Sequence, residues 1–467
     1  MDTGLPSQFE KRIRQDLGDE AGSFFRSFFD APRKGIRFNP LKAGPDKEAE
    51  LSRGLEPVPW EEHGYYYDDI RPGRAGLHAA GAYYIQEPSA MAPVGFLDVR
   101  PGMCVLDLCA APGGKSTQIA AGLSGKGLLI SNEPVKERAK VLSRNIERMG
   151  IRNALVLSHD PEELAVRFPA SFDRILVDAP CSGEGMMRRD ETARLEWSPD
   201  NVKLCARRQE SILDAASVML KPGGRLVYST CTFSMDENEG QIESFLGRHG
   251  DFHLIEEKPF KGMREDKSML RIWPQDGWGE GHFIAVLERS GTPDESMYGY
   301  QGAKEASLTN KQKQETGPYR EFIADVIKEG RIREYLLDAS NLFFFGKNLC
   351  AFPEGALPCL SGLRVIRAGL ELGEPVKGRF VPSHSLALAL SAEDVLRTSE
   401  LDPGAAVSGT DTDRTMMYFG GQTIKDPALS DNGWTLVTIS GISAGWVKAS
   451  KGILKNHYPK GIRINYQ

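Results

Sequence analysis

The sequence predicts an α/β protein whose core is a mainly parallel sheet with helices on both faces, flanked by a small N-terminal α+β lobe and a β-rich C-terminal region. Two observations carry this expectation. Between residues 101 and 290, short apolar runs alternate with amphipathic stretches, as in strands joined by crossover helices. From about residue 318 the pattern shifts to strand-like segments, NLFFFG, LRVIRAGLELG, TLVTISG and AGWVKAS, separated by Gly and Pro. A chain of 467 residues is long enough for about two to four domains.

Taken in order, the first 30 residues read as two short helices. Ser7 and Glu10 have capping-box spacing, Leu5, Phe9, Ile13 and Leu17 recur every four residues, and Gly18 suits the stop. Phe24, Phe25, Phe28 and Phe29 form a second apolar stripe, best read as core packing. The run RKGIRFNPLK (33–42) has four basic residues and no acid, which fits a solvated edge or a phosphate-contacting strand. MCVLDL (103–108), GLLISN (127–132), ALVLS (154–158), RILVDA (174–179) and RLVYST (225–230) are successive strands, and HFIAVLE (282–288) closes the sheet. Helices are expected at about 114–123, after Pro134 with Val135, Ala139, Leu142, Ile146 and Met149 on one face, and from Ser198-Pro199 onward. The polar stretch 290–317 lacks periodicity and reads as a linker.

Composition excludes several classes. No window approaches the ~20 apolar residues of a spanning helix, and MDTGLPSQFEKRIRQDLG has no apolar signal core, so a cytoplasmic protein is expected. Seven cysteines, at 104, 109, 181, 205, 231, 350 and 359, are an odd and sparse set for a disulfide scaffold. No two are spaced for zinc, so no metal site is expected. With 58 Lys+Arg against 64 Asp+Glu the net charge is −6, which by itself argues weakly against a nucleic-acid partner.

In an open α/β sheet, ligands bind at the carboxyl ends of the strands. There the turn CAAPGGKST (109–117) follows a strand and opens a helix, where backbone N–H groups suit a polar ligand. It is not a phosphate-binding P-loop, because that motif needs Gly where this chain has Cys109. A Pro-Gly-Gly turn instead lets a bulky small molecule approach the backbone. Glu133, Asp160 and Asp178 stand at the ends of the next three strands. Together they fit an adenosine-containing ligand, with Glu133 suited to a ribose hydroxyl pair.

Two cysteines also stand at strand ends, Cys181 in DAPCSGEG and Cys231 in STCTFSMDENE. On neighbouring strands they would face one cleft. A thiol pair there fits covalent catalysis on a pyrimidine. A thiolate adding to carbon-6 of cytosine makes carbon-5 enamine-like, and loss of the carbon-5 proton later frees the thiol. Asp178 is placed to engage the N3/N4 edge. Cys104, Cys205, Cys350 and Cys359 read as core residues.

AAPGGKS, DAPCSGEG and STCTFSMDENE, preceded by YYIQEPSAM (83–91), resemble the motifs of the Fmu/Sun-type (NOL/NOP/Sun) RNA cytosine-5 methyltransferases, in the same order over about residues 80–290. That resemblance implies a Rossmann-like S-adenosylmethionine-dependent methyltransferase core. The cofactor would be held by Cys109, Ala110, Ala111, Pro112, Gly113, Gly114, Lys115, Glu133, Asp160 and Asp178. Cys231 would be the nucleophile, and Cys181 would assist release of the methylated base. DNA cytosine methylases use a Pro-Cys nucleophile, so Pro180-Cys181 leaves the opposite assignment open on spacing alone.

YFGGQTI (418–424) and GWVKASKGILKNHYPKGIRI (445–464) resemble the tail of the RsmF/YebU-like branch, which acts on small-subunit ribosomal RNA and carries a PUA-like end module. From Gly445 to Gln467 the chain has Lys448, Lys451, Lys455, Lys460 and Arg463 and no acid. Trp446, His457 and Tyr458 are interleaved, a composition suited to phosphates and base stacking. The implied organisation is an N-terminal RNA-binding lobe (1–85), a catalytic domain (86–290), a linker (291–317), a C-terminal module (318–400) and a PUA-like module (401–467). The expected partner is small-subunit rRNA or the assembling subunit, bound by a monomer away from membranes. The rivals are a tRNA or DNA cytosine methylase and a non-catalytic RNA-binding assembly factor.

Overall fold

The structure is a computed structural model and describes residues 4–68, 71–292, 308–352, 360–402, 412–427, 429 and 431–465. Its central sheet is built from β1 (Cys104–Asp107), β2 (Leu128–Asn132), β3 (Ala154–Leu157), β4 (Phe172–Asp178), β5 (Leu220–Thr230) and β6 (His282–Arg289), in the order β3-β2-β1-β4-β5-β6. β1 to β5 run parallel and β6 returns antiparallel to β5. The inner strands are near-continuous Val, Ile and Leu because both faces are covered, and all four residues of β3 are buried. Strand order reverses between β1 and β4, so the carboxyl ends there border one crevice.

The sheet is longer than the sequence reading. Met269–Ile272 pairs with β6, and Arg264–Asp266 pairs in turn with Met269–Ile272, so β6 does not close it. At the opposite edge β7 (Val365–Ala368) pairs antiparallel with β3. β7 comes from the 318–400 region, yet it covers the β3 edge, whose backbone groups would otherwise be unpaired. Within the stretch read as a linker, Asn310–Glu315 is helical, started by a capping box between Thr309 and Gln312. Residues 293–307 and Cys359 lie outside the described residues.

The N-terminal helices Ser7–Leu17 and Ala21–Ser27 form where expected, with Phe9, Ile13, Phe24 and Phe25 buried. The capping box at Ser7 and Glu10 does not form. Pro6 is the N-cap and its carbonyl accepts from Glu10 N, which leaves Ser7 already helical. Gly18 ends the first helix at φ 53°. Phe24 packs edge-on to Phe233, with ring centroids 5.0 Å apart, while Phe29 is exposed. The lobe's strand Lys34–Phe38 lies inside a four-stranded sheet rather than on a solvated edge.

The last module is a five-stranded sheet that includes Gly433–Ile439, Ile442–Ser450 and Ile453–Asn456. Here the stacking expectation fails for two of its three rings: Trp446 is 2% exposed and Tyr458 4%. Trp446 is covered by Phe322 of the helix Gly317–Val326, and its indole N–H donates to the Ser383 carbonyl (2.9 Å). Tyr458 packs against Tyr418 and Phe419. Lys448, Lys451, Lys455, Lys460, Arg463 and His457 do face solvent. Among the described residues no helix is long and apolar enough to cross a membrane.

Candidate active site

The crevice at the switch point gathers most of the residues singled out from sequence. β4 ends at Asp178 and β5 at Thr230, and the register pairs Asp178 with Ser229. The chain leaves these neighbouring strands through Cys181 and Cys231, which places the two sulfurs 3.4 Å apart. Gly185 N–H donates to the Cys231 carbonyl (2.7 Å) and joins the two loops. The Cys181 thiol is pushed well above its ordinary range, first by its hydrogen bond with Cys231 and then by burial. Either sulfur can donate in this contact, so the pair shares one hydrogen bond across the two loops.

The Gly-rich turn lies next to this pair across β4. Gly113 has φ 116°, and a Cβ there would stand 3.0 Å from Leu142 Cδ1, so the backbone path requires glycine. The helix Gly114–Leu123 then carries Lys115, whose Nζ donates to Asp178 Oδ2 (2.8 Å). Asp178 Oδ1 accepts from the Ser229 hydroxyl (2.8 Å) and lies 3.4 Å from His282 Nε2. Burial would raise the Asp178 carboxyl, but Lys115 and His282 outweigh it and hold it far below the ordinary range. It stays ionised at any working pH.

Glu133 is 3% exposed and accepts from Val135 N–H (3.0 Å), with Arg138 Nη1 3.3 Å from its other oxygen. Asp160 is exposed, at the N-terminus of the helix Pro161–Arg167 that follows β3. Cys109 is half-buried and its thiol is driven up by burial, which suits a wall of the site rather than a nucleophile.

Several residues of the site were not identified from sequence. Arg37, buried in the N-terminal sheet, donates to the Gly114 carbonyl (2.9 Å) and to Thr117 Oγ1 (2.7 Å). One cation of the basic run 33–42 thus braces the turn instead of meeting phosphate. Lys42 is also turned inward, donating to the Ala80 and Ser443 carbonyls (2.6 and 3.0 Å). Asn145 and Arg138 donate to the carbonyls of Pro112 and Ala111 (2.8 and 3.2 Å). Asp107 ends β1 beneath the turn. Its Oδ2 accepts from Ser116 Oγ (2.6 Å), while Oδ1 is buried with no hydrogen-bond partner. Its place before CAAPGG was the signal that could have revealed it.

Burial pushes the Asp107 carboxyl up to about 7, against the lowering effect of the Ser116 hydrogen bond. A carboxyl raised above its unfolded value costs stability as pH climbs from about 4 to about 7, where the fold must ionise a group it prefers protonated. Asp107→Asn is expected to remove that loss. In thermal melts its gain over wild type should grow with pH, small near pH 4 and several degrees larger at pH 8 than at pH 5.

Comparison with known proteins covers all of these parts. The family model described as 16S rRNA methyltransferase RsmB/F matches residues 94–288. Models of the RsmF N-terminal domain, first C-terminal domain and PUA domain match 5–88, 322–390 and 407–464. The protein named ribosomal RNA small subunit methyltransferase F from Vibrio vulnificus (strain YJ016) is 32% identical over 475 residues, covering 98% of this chain and 97% of its own length. Its namesake from Shewanella piezotolerans is 32% identical over 97% of this chain and 96% of its own. A methyltransferase homologue from Pyrococcus horikoshii superposes with a TM-score of 0.55 at 28% identity, over 62% of this chain and 96% of that one. The fold is thus the Rossmann-like methyltransferase fold expected from sequence. The resemblance read in the core motifs extends from the first helix to the last module, and the chain belongs to the ribosomal RNA small subunit methyltransferase F family.

Proposed function

We propose that this chain is an S-adenosylmethionine-dependent methyltransferase that modifies carbon-5 of cytosine in small-subunit ribosomal RNA through a covalent bond from Cys231. The observation that carries the reading is the thiol pair, 3.4 Å apart at the ends of adjacent strands and one strand from the Gly-rich turn. Cys231 adds to carbon-6, which shifts electron density to carbon-5. Asp178, held ionised, keeps lone pairs for the N3/N4 edge of the ring. Once carbon-5 carries the new methyl, a base takes the carbon-5 proton, that electron pair restores the 5,6 double bond, and Cys231 leaves carbon-6 as its thiolate, with Cys181 assisting that release.

The residues present suit the cofactor. The unpartnered Asp107 Oδ1 is a ready acceptor for an ammonium, and the buried Glu133 carboxylate suits a ribose hydroxyl pair. Cys109 to Lys115, Glu133 and Asp178 would line its pocket, with Asp160 at the rim. When bound, S-adenosylmethionine supplies an electrophilic methyl on a sulfonium. The outer modules, residues 1–85 and 401–467, would hold structured RNA through phosphates and shape. Flipping the target base into the crevice costs a few kcal/mol of unstacking. The same reading has the enzyme act as a cytoplasmic monomer on rRNA or on the assembling subunit.

The test is incubation with methyl-labelled S-adenosylmethionine and naked small-subunit rRNA, small subunits, tRNA or DNA. Digestion should return the label as 5-methylcytosine from rRNA or small subunits. Label confined to tRNA or DNA would reject the substrate, and label on another position of the base would reject the chemistry.

A further inference from the structure

Two thiols on separate loops keep one separation only if the loops are tied to each other. The tie is Glu237, which is fully buried in the short turn Met235–Glu237 beyond Cys231. Its Oε2 accepts from Ser182 N–H (2.9 Å) and from Gln209 Nε2 (3.0 Å). Its Oε1 accepts from the Ser182 hydroxyl, and the Thr232 hydroxyl lies within reach of both, 3.0 Å from Ser182 Oγ and 3.4 Å from Oε1, with one proton to give. Ser182 follows Cys181 and Thr232 follows Cys231, so a single carboxylate holds the residue after each cysteine. Gln209 also donates to the Pro180 carbonyl (3.1 Å), and the Tyr228 hydroxyl donates to the Glu237 carbonyl (2.7 Å).

A neutral amide of this shape cannot accept at both ends, and burying a carboxylate is costly unless its acceptors are satisfied. Burial indeed raises the Glu237 carboxyl, against the hydrogen bonds from Ser182 and Gln209. Its charge also bears on Cys181. The groups that face this thiol are Cys231 on the other loop, Glu237 in the turn and Tyr228 on β5. After the Cys231 hydrogen bond and burial, the charges of Cys231 and Glu237 add to the rise of the Cys181 thiol.

We propose that Glu237 is a positioning residue whose carboxylate, held by the residue after each cysteine, locks the two cysteine loops in register. This rests on the covalent-thiol reading given above. Glu237 itself touches Ser182, Thr232 and Gln209, one residue removed from the thiols.

The test uses full-length Glu237→Gln, which keeps the volume and removes the charge. Three quantities are measured against wild type: S-adenosylmethionine affinity, the pH profile of iodoacetamide alkylation at Cys181 read by peptide mass spectrometry, and single-turnover methylation of small-subunit rRNA. Cofactor affinity should be unchanged, because the pocket across β4 is untouched. The Cys181 profile should move to lower pH, since a negative neighbour has been removed. Turnover should fall about 100-fold, the scale of a reacting group displaced by an ångström. A merely structural role would lower thermal stability without moving the thiol profile.

An unmoved Cys181 profile or near-wild-type turnover overturns the proposal. If Glu237→Gln does not bind cofactor, and so has not folded, Ser182→Ala decides instead. It keeps the charge and removes one donor, so it should slow turnover with cofactor affinity intact, and wild-type turnover would overturn the proposal. The alkylation measurement needs no RNA. It therefore reports on Glu237 even if wild type methylates no RNA, an outcome that would sink the covalent-thiol reading instead.

Discussion

Alanine at position 231 is expected to abolish methyl transfer, lowering single-turnover label incorporation into rRNA by about 10⁴-fold or more, the scale seen when a nucleophile is removed. Cofactor affinity measured at equilibrium should not change, because the Gly-rich turn and Lys115 lie on the far side of β4. The size of the effect follows from the chemistry: carbon-5 of cytosine is too weak a nucleophile until a thiolate occupies carbon-6. Cys181 cannot stand in for the missing sulfur, although it lies only 3.4 Å away. It leaves from a different strand and so reaches the ring from another direction. Normal methylation by Cys231→Ala would refute the mechanism.

The second large effect is opposite in kind. Cys181→Ala should still form the covalent bond to RNA and should fail to release it. Denaturing gels are expected to show a protein–RNA adduct after incubation with S-adenosylmethionine, absent from wild type and from Cys231→Ala. Multiple turnover should fall by about 10²–10⁴-fold, the range for loss of a positioned acid–base group. If the adduct appears instead with Cys231→Ala while Cys181→Ala is inert, the Pro180-Cys181 assignment is the right one and the roles reverse.

The parts of the site legible in sequence were those built from contiguous residues. Cys109 to Lys115 form a strand–turn–helix whose chemistry is written in adjacent positions, and Cys181 and Cys231 each follow an apolar strand that marks the turning point of the chain. The braces were not legible. Arg37 reaches Gly114 and Thr117 from a different sheet, and Glu237 reaches Ser182 across 55 positions. Partners this distant leave no periodicity or spacing to read. The β3–β7 pairing failed for the same reason, since VIRA is too short to announce which edge it will cover.

Charge and aromatic residues show how burial changes a reading. Counted along the chain, 33–42 and 445–467 are both basic runs. In the fold, Arg37 and Lys42 turn inward to backbone carbonyls, while Lys448, Lys451, Lys455, Lys460 and Arg463 stay outward. Trp446 and Tyr458 are core residues, and His457 is the outward ring of that set.

By itself the sequence determined the alternating α/β core, the Gly-rich turn, the strand-end acids and the two cysteines, because local hydrophobic period and turn chemistry act over a few residues. Only the tertiary structure decided that the two sulfurs meet at 3.4 Å, that Glu237 ties their loops and that β7 completes the sheet. Those outcomes depend on which distant side chains are desolvated together. A buried carboxylate or guanidinium is stable only where packing delivers all of its partners at once.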